Sequence, residues 1–165
     1  MAHENAFSFG PSYLETFRGG IAVKPTEFAS RGIRLSRGFR ALRVWMSLSV
    51  YGADRIGEII EQNIDDAQYL VSRVVAEPEL ELLAPAPMNV VCFRYRKPSL
   101  NDTELDALNA ELLVRLQESG VAVPSNVRIS GRFAIRVANT NYRTVQSDFD
   151  LLVESILKLG RELSR

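Results

Sequence analysis

The chain is poor in the residues on which most side-chain chemistry depends. Of 165 residues, one is cysteine, Cys92, and one is histidine, His3. A single cysteine excludes an intrachain disulfide framework and any cysteine-rich metal site. A lone histidine near the start excludes a histidine-based triad in the body of the chain, and no metal site is expected. No apolar run approaches the roughly 20 residues that a spanning helix needs, so no membrane partner is expected. Met1-Ala2-His3-Glu4-Asn5 lacks a basic segment followed by an apolar one, and the expected location is cytoplasmic. Charge of one sign is also lacking: Lys+Arg and Asp+Glu both number 20. No global field therefore favours nucleic acid or anionic lipid. The aromatic residues are scattered rather than interleaved with a basic patch, which also argues against nucleic acid. Neither G-x-x-x-x-G-K-[ST] nor G-x-G-x-x-G occurs.

What remains is an ordinary globular composition, 46% hydrophobic and 24% charged, of a length suited to one core. Residues 1 to 34 are the least regular part, broken by Gly10-Pro11, Gly19-Gly20 and Pro25. Pro11 to Glu15 could form one helical turn, and Arg18 to Arg34 reads as a long loop. Ser36 is suited to cap a helix over Arg37 to Tyr51, with Gly52 as its stop. Leu42, Trp45, Met46 and Ser49 share one face of that helix. A second helix is predicted over Ala53 to Val75, with Ile56, Ile59, Ile60, Ile64, Ala67, Leu70, Val71 and Val74 as its apolar stripe. Asp65-Asp66 and Glu58/Glu61 read as solvated surface.

Leu80 to Leu83 and Asn89 to Tyr95 read as strands joined by a Pro-rich turn. The second is apolar enough to be central, and Cys92 within it reads as a buried, unreactive thiol. A helix capped by Asn101 or Asp102 runs to Ser119 with Leu105, Leu108, Leu112, Leu113 and Leu116 inward. Val121 to Val123 is a candidate short strand. Val127 to Ile129 and Phe133 to Ala138 form a predicted hairpin around Ser130-Gly131-Arg132. A last helix over Val145 to Leu163 carries Phe149, Leu151, Leu152, Ile156 and Leu159. This order implies α+β: a small, mainly antiparallel sheet with helices on one face, preceded by an irregular N-terminal arm.

Three clusters are candidates for chemistry. Arg37, Arg40 and Arg43 line one side of a helix. They are either a solvated face or an anion or subunit contact. Arg136 lies in the apolar strand Phe133 to Ala138. If Phe133 and Ile135 face the core, Arg136 faces the opposite side of the sheet and needs a partner or solvent. Asn139 to Thr144 reads as a strand-to-helix turn with a capping role.

Ser36-Arg37-Gly38-Phe39-Arg40-Ala41-Leu42-Arg43-Val44-Trp45 resembles the S-R-R-F-R-A-L-K-x-W segment of the pyridoxal-phosphate-dependent group II amino-acid decarboxylases, which include the aromatic-L-amino-acid decarboxylases. Tyr51-Gly52 matches the Y-G that ends that helix. Phe133 to Thr144 resembles the family's later L-R-x-x-x-x-N-x-R-T segment. Ala6-Phe7 with Pro11 to Leu14 resembles A-F-x-x-D-P-x-Y-L. The likeness runs from about Ala6 to Glu162. It implies the C-terminal small domain of a fold-type-I enzyme over residues 35–165, with residues 1–34 as an arm and mobile-loop remnant. It implies pyridoxal phosphate as the cofactor of the parent family. The family's cofactor lysine follows a histidine, whereas Lys24, Lys97 and Lys158 do not. No cofactor is therefore expected on this chain alone, and the chain alone is expected to be inactive.

The resemblance also implies roles for single residues. Arg136 falls where related decarboxylases pair an arginine with the substrate carboxylate. Phe28 falls where the mobile loop often carries a proton-donating tyrosine; phenylalanine cannot donate, and oxidative deamination to an aldehyde competes in relatives with such a replacement. Arg37, Arg40 and Arg143 are candidates for anion or subunit contacts, and Gly38 departs from the family's second arginine. The expected partners are a large pyridoxal-phosphate-binding domain or subunit and a second copy of the chain, because a small domain alone would expose apolar surface, as on the Trp45 helix or the irregular N-terminal arm. The alternatives are a non-catalytic interaction domain or a small carboxylate-binding α+β module.

Overall fold

The computed structural model describes residues 38–165. The readings placed on His3, Pro11 to Glu15, Lys24, Phe28, Ser36 and Arg37, and the boundary at 34/35, lie outside the described residues. The chain falls into two units, the first ending at Val50 and the second running from Tyr51 to Arg165.

The described part of the first unit, residues 38–50, carries helix α1, Arg40–Tyr51, none of whose residues is buried and whose last residue opens the second unit. Gly52 ends it with a φ of +77°, a conformation that glycine adopts without steric penalty.

Among the described residues, the second unit contains three helices and one four-stranded sheet: α2 (Ala53–Ala76), β1 (Leu80–Leu82), β2 (Val90–Tyr95), α3 (Asp102–Glu118), β3 (Ser125–Ile129), β4 (Arg132–Ala138) and α4 (Gln146–Leu163). The sheet is antiparallel throughout, in the order β1-β2-β4-β3. The apolar β2 is thus an interior strand, as expected. Ser130 and Gly131 both have positive φ, which makes a two-residue hairpin turn whose twist matches the strands it joins. Val121 to Val123 is not a strand. The ladder begins at the pair Ser125↔Arg136, just after Pro124, which has no N–H to donate.

Alternation along the strands sorts the sheet into two faces. Val91, Phe93, Tyr95, Phe133 and Ile135 join Leu70, Val74, Leu112, Leu116, Val153 and Ile156 of the three helices in one core. The helix stripes differ from prediction in particular places. On α2, Ile60 is exposed, and Asn63 and Asp66 are buried beside Ala67 and Leu70. Asp66 is therefore not a surface residue; Gln62 donates to its Oδ1 at 3.1 Å. On α4, Leu151 is exposed, whereas Val153 and Leu157 are buried. Asn101 and Glu104 form a reciprocal cap at the start of α3, each side chain accepting from the other's backbone N–H at 3.0 and 2.8 Å. That satisfies two donors that the helix leaves open.

Two carboxylates tie elements together and titrate with the fold. Burial would raise the Asp106 carboxyl, but the Phe133 N–H at 2.8 Å and the Arg128 guanidinium at 2.6 Å hold it below its ordinary value. Glu79 is held down chiefly by Arg161, against the effect of burial, with help from the Tyr95 hydroxyl at 2.8 Å. Both are depressed carboxylates, so their contribution is complete above the unfolded value near 4 and is lost as pH falls through the lower folded value. The urea midpoint is expected to fall from about pH 5 to pH 3, and to fall less in Asp106→Asn/Glu79→Gln. An unchanged pH slope in that variant would contradict the assignment.

Candidate functional site

The face of the sheet turned away from the helical core carries Glu81, Cys92, Arg94, Ser125, Arg132, Ala134 and Arg136, by the same alternation. Arg136 lies on β4 with Cys92 of β2 on one side and Ser125 of β3 on the other. The sequence expectation for its orientation therefore holds: Ile135 is fully buried in the core and Arg136 is half-buried on the opposite face. Its Nη1 donates to Ser125 Oγ at 3.2 Å, and that hydroxyl donates weakly to the Arg136 carbonyl at 3.4 Å. Among the described residues no carboxylate pairs with Arg136.

Arg136 borders a cavity of about 370 Å3 at the end of β4, shared with Val123, Asn139, Asn141, Thr144 and Asp148. The loop that closes it is pinned from inside the fold. Asn139 is buried; its N–H donates to Asn89 O at 2.8 Å, its side chain donates to Asn63 O at 3.2 Å, and Asn89 Nδ2 returns a bond to its carbonyl at 2.7 Å. Asn141 Oδ1 accepts from Arg143 N at 3.1 Å, a side-chain turn of the kind that asparagine favours. The expected capping role is thus a turn-forming one. At the start of α4 it is Asp148 that accepts from Val145 N, at 3.0 Å.

Cys92 differs from its expected burial. It is half-exposed beside Arg136; burial raises its thiol, and the guanidinium partly offsets that shift. Arg143 lies in the loop, exposed, with its Nε donating to Tyr142 O–H at 3.1 Å and its guanidinium carbon 5.4 Å from that ring. It does not line the cavity, whereas Arg136 does. Arg40 and Arg43 are exposed on α1, in the other unit.

Two further polar residues escaped the sequence reading. Arg94 is only 4% exposed. Glu81 accepts from its Nε at 2.8 Å and Asp102 from its Nη2 at 2.9 Å, while its Nη1 is buried without a partner among the described residues. Burial opposes its charge, but the two carboxylates outweigh that and raise its pKa further. Glu81 also accepts from Arg132 at 2.9 Å. The second is Asn109, fully buried on α3 and bonded to the backbone of Tyr95.

An imine-forming cofactor needs a lysine at the site. Lys97 donates to the Ser164 carbonyl near the end of α4, and Lys158 is exposed on α4. Neither lines the Arg136 cavity. The described residues thus do not fit pyridoxal phosphate, and no chemical step through it is assigned to them. They also contain no group of three or more metal-ligating side chains, and no described helix is long and apolar enough to cross a membrane.

The model of the pyridoxal-dependent decarboxylase conserved domain matches residues 2–96. The chain is 28% identical to an aromatic-L-amino-acid decarboxylase of Bacillus atrophaeus over 159 residues, 96% of this chain and 33% of that enzyme. It is 29% identical to a phenylacetaldehyde synthase of Arabidopsis thaliana over 133 residues, 81% of this chain and 27% of that protein. Among solved structures, Oryza sativa TDC with PLP superposes with a TM-score of 0.76 at 26% identity, over 85% of this chain and 30% of that one. Rhodiola rosea 4-hydroxyphenylacetaldehyde synthase superposes with a TM-score of 0.73 at 27% identity, over 83% and 29%. The chain therefore spans about a third of the length of these relatives.

Proposed function

The chain belongs to the pyridoxal-dependent decarboxylase family, and from that premise we propose that it serves as the small-domain part of an amino-acid decarboxylase, with Arg136 receiving the substrate carboxylate. In this reading residues 35–165 are the small domain and residues 1–34 an arm. The pyridoxal-phosphate lysine belongs to a large partner domain or subunit, and the chain also associates with a second copy of itself. The cofactor supplies the electron sink for loss of carbon dioxide when bound in that partner. The observation that carries the reading is the geometry of Arg136: a half-buried guanidinium at the mouth of a cavity, bonded to a neutral hydroxyl and to no described carboxylate.

A guanidinium can hold a carboxylate by two parallel hydrogen bonds, which fixes orientation as well as position. The bond to Ser125 occupies one Nη1 hydrogen and leaves the other Nη available. The aldehyde synthases among the relatives support a second outcome, with Phe28 in place of a proton-donating tyrosine and an aldehyde as product.

Titration of the chain with 3-phenylpropionate is expected to shift the backbone amide resonances of Ser125, Arg136 and Asn139. Phenethylamine, which lacks the carboxylate, should leave them unmoved. Arg136→Ala should weaken carboxylate binding by at least about tenfold, and Arg136→Lys should restore part of it. Equal binding by Arg136→Ala would overturn the role. With L-amino acids and pyridoxal phosphate added, the chain alone should release no carbon dioxide above a protein-free control.

A further inference from the structure

Four basic residues gather where β2 runs out beside the end of α4. The Arg96 N–H donates to the Glu79 carbonyl at 2.7 Å, one step past the pair Leu80↔Tyr95 that closes the β1–β2 ladder. Lys97 then donates to the Ser164 carbonyl, which ties the chain after β2 to the end of α4. A cavity of about 340 Å3 opens there, lined by Glu79, Tyr95, Arg96, Lys97, Arg161 and Arg165 among others. That volume lies in the range of small-molecule sites. The cavity shares no residue with the one beside Arg136, which lies at the opposite end of β2, where Val90 pairs with Ala138.

Four of the lining side chains are cations and one is a carboxylate. Cations at the end of a helix have a structural use, because they face carbonyls that the helix leaves open. That use accounts for Lys97, and Glu79 engages Arg161 through Nε and Nη2. It does not account for Arg96 and Arg165. Both are exposed, and among the described residues neither is paired with a carboxylate. Glu77 also acts on Arg161 but does not line the cavity. Even with a main-chain carboxylate counted at Arg165, four cations face two anions. Like charges held together oppose folding by repulsion, and an anion seated among them would relieve it. A phosphate dianion matches an excess of this size, which a single carboxylate does not. Guanidinium also takes phosphate oxygens in pairs. The donors are available: Glu79 leaves Arg161 Nη1 unengaged, and Lys97 keeps two of its three hydrogens after bonding to Ser164.

We propose that this cavity binds a phosphate dianion, either free or as the phosphoryl group of a small monoester, held by Arg96, Lys97, Arg161 and Arg165. The site is independent of the carboxylate role of Arg136. Its occupant would bridge the end of β2 to the end of α4, the same junction that Glu79 joins from before β1.

The test is titration of the full chain with inorganic phosphate and, separately, with phenyl phosphate, at an ionic strength held constant with chloride. Saturable shifts are expected in the backbone amide resonances of Arg96, Lys97 and Arg165. Arg96→Gln/Arg165→Gln should weaken binding by at least about tenfold. Both residues are exposed, and far-UV circular dichroism should show the fold retained. Lys158→Gln, which removes an exposed cation of α4 outside the cavity, should bind as the unaltered chain does. A gain is expected as well: Glu79→Gln removes the competing carboxylate and should tighten binding severalfold, which loss of folding cannot mimic. Equal affinity of the two ligands would identify the phosphoryl group alone as what is bound, and tighter binding of phenyl phosphate would identify a monoester. Unchanged binding by the double variant would overturn the proposal. So would equal weakening by Lys158→Gln, or equal shifts with acetate, since either would show only a diffuse attraction for anions. Shifts confined to Ser125, Arg136 and Asn139 would also overturn it, by placing the anion in the other cavity.

Discussion

Replacing Asn109 by leucine is expected to destabilise the Tyr51–Arg165 unit by about 3 kcal/mol, although the two side chains are similar in size. Asn109 is fully buried between α3 and the end of β2. Its Oδ1 accepts the Tyr95 N–H at 2.7 Å, and its Nδ2 donates to the Tyr95 carbonyl at 2.9 Å and to the Leu105 carbonyl at 2.8 Å. The β2–β4 pairing reaches only Phe93↔Ile135. Beyond that pair the asparagine amide replaces a strand for Tyr95, offering one acceptor and one donor in the same arrangement. Leucine would fill the space and leave both Tyr95 groups buried without partners, each costing roughly 1–3 kcal/mol. Leu105 O would retain its helical bond, so its loss is small. Equilibrium unfolding in urea measures the difference. A change below about 0.5 kcal/mol would mean that water or a shifted backbone replaces the amide.

Asn109 also marks where the sequence stops being readable. Element type follows from local pattern, and α2, α3, α4 and the hairpin appear close to where periodicity and Ser130-Gly131 place them. The capping residue Asn101 is legible for the same reason, because its bond partner is three residues away. Asn109 sits in a leucine stripe whose period is satisfied without it. Its partner is fourteen residues distant on a strand that ends early, and nothing local signals that end. Arg94 is hidden in the same way, since its charge is compensated by Glu81 from a neighbouring strand and Asp102 from the next helix. Asp66 is buried because α2 turns a different side inward than its isoleucines suggest. Ile60 is exposed while Asn63 reaches the Asn139 side chain through its carbonyl.

The candidate site divides along the same line. The orientation of Arg136 follows from strict alternation once Phe133 and Ile135 are assigned to the core. The cavity beside it does not follow. It depends on the register that sets Ser125 opposite Arg136 and on Asn139 being drawn inward by Asn63 and Asn89. The family resemblance gave Arg136 a substrate-binding role and Arg143 a separate anion or subunit contact, and Arg136 lines the cavity whereas Arg143 does not. Their separation comes from the Asn141 turn, which directs residues 142 and 143 into solvent.

Adding a single methyl group at Gly160 is expected to destabilise the fold by about 2 kcal/mol, in spite of a helix preference for alanine over glycine of about 1 kcal/mol. Gly160 is buried on α4, and a Cβ built there would fall within the Tyr95 ring, against Cγ, Cδ2 and Cε2. The ring has little freedom to retreat. Its backbone is held at both N–H and C=O by Asn109, and its hydroxyl donates to Glu79, which Arg161 engages from the next position on α4. Either the helix or the strand end must therefore move, and both carry core residues. The steric account makes a second, opposite prediction. In a Tyr95→Ala background the obstacle is gone, and Gly160→Ala should become stabilising by up to about 1 kcal/mol, the helix preference alone. Urea unfolding of the four proteins in this cycle reads the sign directly. If Gly160→Ala destabilises equally in both backgrounds, the glycine is required for some reason other than the Tyr95 ring. If the sign reverses, the end of β2 is locked from three sides, by an amide on α3, a carboxylate before β1 and a missing methyl group on α4.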